Sequence, residues 1–487
     1  MAEPRTVHDR PRRSSRRAAA VWSAALVFAL SRVDVASAQP PVGWRMDGTG
    51  NYPRAEPPTE WSPTSHVLWS TPMPKWSNSS PILVGDRLFV SSERDTLICL
   101  GATDGQLLWR RSNPVRDTVA ATILYHPVPE QESRIRQARV ALSEKEYELT
   151  GIRQRLRKAP GDKGLNEKVQ SLAKQITGLR SDLASLAAAS NPPSVHDSNG
   201  YSTPTPTSDG VSVYALYGTG VVASYDLEGH RRWIKFVDLA QVGNGPSASP
   251  VLVGGKLLIQ LEDLVALDAA TGEVAWRVNV PPRNGTPIAF QIEGQDVVIL
   301  PSGRCVRVAD GAILASDVGD LEFNSPLVRD GVIYMIQGTA QAFRIPEKMS
   351  DSLDFKPLWT AKLKGERYYS SPLLLDGLIY AITRTQIFNV VDAKTGDIVY
   401  TERLHLGEAG GADNVYSSIA QAGRYVFVSG FEGTTAVLKP GRQLEQVAFN
   451  HLAPFRSNPV FAGDRIYVRA NDRFYCLSSS AASTESH

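Results

Sequence analysis

One repeated phrase limits what this chain can fold into. Residues 78–92 read NSSPILVGDRLFVSS: small polar residues, a proline, a short apolar run, a Gly-Asp pair and a second apolar run. The phrase returns as SASPVLVGGKLLIQL from Ser247, FNSPLVRDGVIYMIQ from Phe323 and YSSPLLLDGLIYAIT from Tyr369. Aligned on the proline, the units start at Pro81, Pro204, Pro250, Pro287, Pro326, Pro372, the equivalent Ile419, and Pro459. From Pro204 the spacing runs 46, 37, 39, 46, 47 and 40 residues. This is the period of a β-propeller blade, a small sheet that cannot bury both faces until it stacks on neighbours. The apolar runs are joined at Gly85-Asp86, Asp209-Gly210, Gly254-Gly255, Asp330-Gly331, Asp376-Gly377 and Gly463-Asp464, pairs that favour tight hairpin turns.

A second signature closes each unit, as in LDAATGEVAW (Leu267 to Trp276), VDAKTGDIVY (Val391 to Tyr400), LGATDGQLLW (Leu100 to Trp109) and YDLEGHRRW (Tyr225 to Trp233). The Asp caps a turn, the Gly takes positive φ, and the aromatic lands on an outer strand, where it can wedge against the next blade. Trp69, Trp109, Trp233, Trp276, Trp359 and Tyr400 hold these docking positions. The last repeat ends at Leu477 without an outer strand, whereas HVLWSTPM, His66 to Met73, is an outer strand without a blade. Joining them leaves no free sheet edge. The reading is all-β: an eight-bladed propeller of four-stranded antiparallel blades over residues 66–477. Seven blades stay open as a count, because VADGAILAS and LKPGRQLEQVAF lack the docking aromatic.

Residues 129–190 break this pattern. Leu165, Val169, Leu172, Ile176, Leu179, Leu183 and Leu186 recur in steps of four and three, as do Ile135, Ala138, Leu142, Leu149, Ile152 and Leu156, with Lys145 the one lapse. KAPGDKG, Lys158 to Gly164, interrupts the run. The spacing predicts an inserted antiparallel α-helical coiled-coil hairpin with arms of roughly 40 Å. Either its two seams only satisfy each other, or it is an arm that meets a protein partner.

Composition bears on export. RPRRSSRR, the apolar AAAVWSAALVFAL and Ala36-Ser37-Ala38 form a signal peptide over residues 1–38, too short in its apolar part to span a bilayer. Both general and twin-arginine export fit it. That segment holds seven Arg against three acids, so residues 39–487 carry a net charge of −2. No basic patch points to nucleic acid. The chain is read as periplasmic or extracellular, with an N-terminal extension at 39–65, no membrane span once the signal is removed, and a disordered tail at 478–487. Cys99, Cys305 and Cys476 are far apart, and the eight His make no metal-spaced cluster. No metal site, nucleophile elbow or phosphate loop is expected. LEDL, Leu261 to Leu264, reads as a solvated turn.

The repeats resemble those of the pyrroloquinoline quinone (PQQ)-type β-propellers, whose docking phrase A-x-D-x-x-T-G-x-x-x-W stands here from Ala266 to Trp276. GWRMDGTG (Gly43 to Gly50), EWSPTSHVLWSTPMP and WSNSSPILVGDRLFVSS look like exported bacterial PQQ-binding-like repeat proteins. The outer-membrane assembly propeller lipoprotein is similar in its repeats. For the quinoprotein dehydrogenases of this group, the resemblance implies a quinone on the axis between a Trp and a disulfide of adjacent cysteines, with calcium and an Asp base. This chain has no adjacent cysteines, and neither calcium ligands nor a base can be assigned. No cofactor is expected, and a PQQ-dependent oxidoreductase is the alternative reading.

The residue three before each strand proline should face the axial channel: Asn78, Tyr201, Ser247, Asn284, Phe323, Tyr369, Tyr416 and Arg456, with Trp76, Tyr368 and Phe455 close by. Aromatics mixed with Asn, Ser and Arg at a concave mouth suit a peptide, a glycan or a flat cofactor; the same rings can equally plug the funnel. The function expected is a non-catalytic scaffold for protein or ligand binding in the cell envelope, with a glycan-binding propeller as a further alternative.

Overall fold

A computed structural model describes residues 41–118, 129–159, 161–188, 199–238, 245–407 and 414–481. Residues 1–38, read as the signal peptide, lie outside them, as do residues 482–487 of the tail.

Eight sheets of four antiparallel strands follow one another along the chain, one of them extended by a fifth strand added in parallel. The first blade runs from Ile82–Val84 through Arg87–Ser92 and Thr96–Gly101 to Leu107–Ser112, innermost strand first. The eighth takes its outer strand from the other end of the chain: Val67–Pro72 pairs antiparallel with Arg473–Ser478, Val67 opposite Leu477 and Pro72 opposite Arg473. Ser478, assigned from the sequence to the tail, belongs to this blade, buried and opposite Arg465. The ring therefore ends without a free edge.

The middle strands show why the blades stack. Ser212–Leu216 is buried along its whole length, without the alternation of a one-sided sheet, because a neighbour covers each face. Successive pairs of blades share separate apolar clusters, such as Phe89, Trp109, Val213 and Tyr225 between the first and second.

The outer edge is fastened by one device. In every blade the pairing of third and fourth strands slips by one residue, a bulge that re-aims the next side chain. The residues so aimed are Trp109, Trp233, Trp276, Ala315, Trp359, Tyr400, Ala448 and Trp69. The indole N–H of Trp109 donates to Leu227 O of the next blade (2.9 Å), Trp233 to Ala269 O (3.0 Å), Trp276 to Val308 O (2.8 Å) and Trp359 to Ala393 O (3.0 Å). Each ring lies on the turn glycine of that next blade. A Cβ on Gly272 (φ 72°) would stand 2.7 Å from the Trp233 ring. The D-x-x-T-G turn and the tryptophan one blade earlier are thus two halves of one joint. Where the aromatic is missing, other segments fill in. Beside Ala315, the connection after Arg344 brings Leu353 and Phe355 into the cluster, with Leu353 N–H on Leu314 O at 2.8 Å. Ala448 packs against the cluster holding Trp61 of the N-terminal extension.

This joint makes a prediction. Gly272→Ala meets both a left-handed backbone and the Trp233 ring, and should cost about 2–4 kcal/mol. Gly377→Ala has a similar φ of 74° but nothing within 4 Å of the new methyl and should cost about 1 kcal/mol. Denaturant midpoints of the two variants check this; equal losses would show that the Trp–Gly joint adds nothing.

Candidate functional site

The first residues of the inner strands converge on the axis, where two tiers of side chains line a cavity of about 240 Å³. The lower tier is Ser80, Thr205, Ser249, Thr286, Ser325, Ser371, Ser418 and Asn458, one per blade. These residues close a circle. The backbone N–H of Ser80 donates to Thr205 Oγ1, Thr205 to Ser249 Oγ, Ser249 to Thr286 Oγ1, and Thr286 to Ser325 Oγ. Ser325 then donates to Ser371 Oγ, Ser371 to Ser418 Oγ, Ser418 to Asn458 Oδ1, and Asn458 back to Ser80 Oγ. Only short side chains with an oxygen acceptor can do this where eight strands crowd together, which explains the small polar residue before each strand proline.

The upper tier is Asn78, Thr203, Ser247, Asn284, Phe323, Tyr369, Tyr416 and Arg456. Tyr369 and Tyr416 stack at 5.3 Å and 8°, Phe323 meets Tyr369 edge-on at 4.6 Å, and the Arg456 guanidinium lies over Tyr416 at 4.1 Å and over Phe431 at 4.6 Å. Burial lowers the Arg456 pKa from its ordinary value. Polar residues occupy one half of this tier; rings and the guanidinium occupy the other.

One sequence assignment here needs correcting. The circle makes Thr205 the counterpart of Ser80, so the strand proline of blade two is Pro206, not Pro204, and Thr203 rather than Tyr201 faces the cavity. Prolines two apart in STPTPTSDG admit both alignments. Tyr201 is buried off the cavity wall, beneath the Arg94 guanidinium at 5.1 Å. Tyr368 and Phe455 are buried within inter-blade clusters, Tyr368 donating to Lys364 O at 2.8 Å. Trp76 is exposed and outside the wall, over Gly200. Asn78, Ser247, Asn284, Phe323, Tyr369, Tyr416 and Arg456 all line it.

The opposite end of the channel is threaded by residues 42–52, a segment the repeat pattern does not reach. Val42 bridges Ser208 of blade two, Asn51 Nδ2 donates to Leu374 O of blade six at 3.5 Å, and Asn51–Tyr52 pairs in parallel with Ala420–Ala422 of blade seven. Trp44 contributes to the cavity wall. Arg45, buried, donates from Nη1 to Pro372 O (3.0 Å) and from Nη2 to Ile419 O (2.6 Å), carbonyls one residue past the hydroxyl circle. Burial lowers its pKa to about 10, opposed by Tyr52 and Asp47, so it is still a cation at neutral pH. Gly50 at φ 73° lets the guanidinium lie against bare backbone; a Cβ there would be 2.4 Å from Nη2. GWRMDGTG is the sequence of this plug.

The quinone of the dehydrogenases can be tested against these residues. Trp44 offers a ring, but among the described residues no Asp, Glu, His or Cys lines the cavity to ligate calcium or act as base. Cys99, Cys305 and Cys476 are buried free thiols in three different blades, each pushed up to about 12 by burial. The described residues do not fit that group.

A second site joins the helical insertion to the ring. Helix α1 (Pro129–Lys158) and helix α2 (Lys163–Ala188) pack through Leu142, Leu149, Ile152, Leu172, Ile176 and Leu183, with Phe236 of blade two against the same cluster. The Ile135 and Leu186 side chains lie outside the described residues. Glu146 of α1 pairs with Arg180 of α2 and stands 3.7 Å from Nε of Arg277 in blade three. Arg277 also holds Asp238 at 2.6 Å and Asp263 at 3.4 Å, and Asn279 donates to Asp263 at 2.8 Å. Arg277, Asp238, Asp263 and Glu146 are all buried, at 3%, 6%, 7% and 8% side-chain exposure. LEDL is therefore not a solvated turn: its Asp263 is part of the clamp under the hairpin. On the solvent side of α1, Val140 and Tyr147 are exposed two turns apart, Tyr147 at 77%.

A family model described as outer membrane protein assembly factor BamB matches residues 60–152 and 218–485. No curated protein matches the chain. Among solved structures, BamB from Moraxella catarrhalis is similar with a TM-score of 0.51 and 12% identity, covering 85% of this chain and 99% of that one. A europium-containing methanol dehydrogenase gives a TM-score of 0.48 and 10% identity, with 87% and 88% covered.

The clamp titrates. Burial raises the Glu146 carboxyl above its ordinary value against the pull of Arg277 and Arg180, and raises Asp263 against Arg277 and Asn279. A carboxyl with a raised folded-state pKa contributes its full stability below its unfolded value of about 4 and loses it as pH climbs through the raised value. Hydrogen-exchange protection of α1 around Leu142 to Ile152, corrected for intrinsic rates, should fall several-fold from about pH 4.5 to 7. Glu146→Gln should flatten that dependence; an unchanged slope would remove Glu146 from the clamp's titration.

Proposed function

The chain belongs to the BamB family of PQQ-type β-propellers, and on that premise we propose that it is an exported, non-catalytic scaffold that binds a protein partner in the cell envelope. The observation that carries this reading is the clamped hairpin. An insertion whose seams satisfy each other has no need of buried charges beneath it, and burying four ionisable groups costs desolvation. Held at fixed angle, α1 presents Tyr147 and Val140 outward as an aromatic anchor with an aliphatic neighbour, the kind of pair that dominates protein interfaces. Family membership supports the envelope setting, since the family description is that of an outer-membrane assembly factor. Support for a non-catalytic role comes from the described residues of the cavity wall, which offer hydroxyls, amides, rings and a guanidinium.

A photo-crosslinking side chain at position 147, expressed in the native envelope, should give one discrete protein adduct. Arg277→Gln, which removes the guanidinium at the centre of the clamp and leaves its carboxylates uncompensated, should reduce it at least threefold. No adduct at 147 or 140 would overturn the arm as partner surface. Calorimetry with PQQ and calcium tests the alternative: no stoichiometric uptake is expected, and uptake with dye reduction would replace the scaffold by an oxidoreductase.

A further inference from the structure

The hydroxyl circle leaves a surplus of donors. Each of the seven Ser and Thr oxygens in it accepts a backbone N–H. Among the described residues, none of those hydroxyls finds an acceptor for its own proton. Asn458 is in the same position: its Oδ1 accepts from Ser418, which leaves its amide N–H groups to donate. Ser80, Thr205, Ser249, Thr286, Ser325 and Ser371 are all buried at 5% exposure or less, and all line the cavity. Buried donors of this kind seek acceptors. Among the described residues of the wall there is neither Asp nor Glu to supply them.

Charge points the same way. Arg456 stands on the wall at the mouth, and Arg45 lies one residue below the circle. A cation entering here would meet two guanidiniums. An anion would meet O–H and N–H donors carried by buried side chains, and charge-assisted hydrogen bonds are the strong ones. One wall guanidinium among neutral donors matches a single negative charge better than a doubly charged phosphate. Above the circle, Phe323, Tyr369 and Tyr416 make one side of the upper tier apolar. The cavity therefore has a donor-lined base and a ring-lined flank, in a volume of about 240 Å³, enough for a carboxylate and one ring-sized group.

We propose that the axial cavity is a carboxylate site: the circle from Ser80 to Asn458 holds one carboxylate of an organic acid whose apolar part lies against Phe323, Tyr369 and Tyr416. The acid is either a free small molecule or the C-terminal residue of a peptide, since both present the same group. This site is separate from the hairpin, so it stands or falls apart from the partner-arm reading.

Calorimetry on the purified protein decides it, with N-acetylphenylalanine, its amide, and a tetrapeptide ending in phenylalanine with a free or amidated terminus. The expected result is one-to-one binding of an acid at least tenfold tighter than the matching amide. Thr286→Val, which removes one hydroxyl at constant shape, and Arg456→Gln at the rim should each weaken it tenfold or more, while Thr286→Ser keeps it. Should Thr286→Val fail to fold, Arg456→Gln carries the test. Binding of the small acid alone assigns a free ligand, and equal binding of the tetrapeptide assigns a chain terminus. Equal affinity for acid and amide, binding indifferent to both substitutions, no heat at millimolar acid, or binding of a neutral oligosaccharide in place of the acids would each overturn the proposal.

Discussion

A four-stranded blade has two apolar faces and can cover neither alone; everything else in this molecule follows from the need to close eight of them into a ring. Closure requires that blades meet at a fixed distance at both the rim and the axis. At the rim, the distance is set by an indole lying on a bare glycine and bonded to a carbonyl of the next blade. At the axis, it is set by a backbone N–H reaching a one-carbon or two-carbon side-chain oxygen of the next blade. Both joints are short and directional, so blade geometry tolerates little variation in the residues that make them.

That is why so much was legible. The glycine, the tryptophan and the hydroxyl recur because each is a contact with the next blade, and a contact repeated around the ring becomes a period. The closing strand His66–Met73 was readable for the same reason: a phrase without its blade must complete one. Where a joint is doubled, legibility failed. STPTPTSDG offers two prolines and two hydroxyls, periodicity cannot choose between them, and only the circle through Thr205 does so, moving Thr203 to the wall and Tyr201 off it. The plug of residues 42–52 was invisible as a plug because it occurs once. The clamp was hidden differently: Glu146, Asp238, Asp263 and Arg277 look like surface charges, and nothing in their spacing tells that a helix from another part of the chain lies over them.

The clamp shows how an insertion is accommodated by a repeat. Phe236 and the leucine seam bind the hairpin apolarly, a contact that permits sliding and rotation. A guanidinium holding two carboxylates of the ring while a third arrives from the helix has few equivalent arrangements. The cost of burying these charges is offset in part by mutual attraction, and the return is one orientation of α1. A purely apolar seat would hold the hairpin at comparable strength and lower desolvation cost, so the charges speak for a fixed direction.

The chemistry of the axis is a by-product of the same closure. Eight strands converging on a line leave room only for small side chains, and the need to bond each blade to the next selects those with an oxygen. An oxygen that accepts from the neighbouring backbone still carries its proton, and among the described residues that proton has no acceptor. A propeller closed this way therefore lines its channel with donors whether or not a ligand exists. What the ring does not require is the asymmetry above it: amides and hydroxyls on the blades one to four side, Phe323, Tyr369, Tyr416 and Arg456 on the other. Nor does it require that a tryptophan-bearing segment occupy the far end, with a buried arginine set beneath the donors. Closure does not dictate those features, and they turn a structural circle into a site with a floor, a flank and a sign of charge.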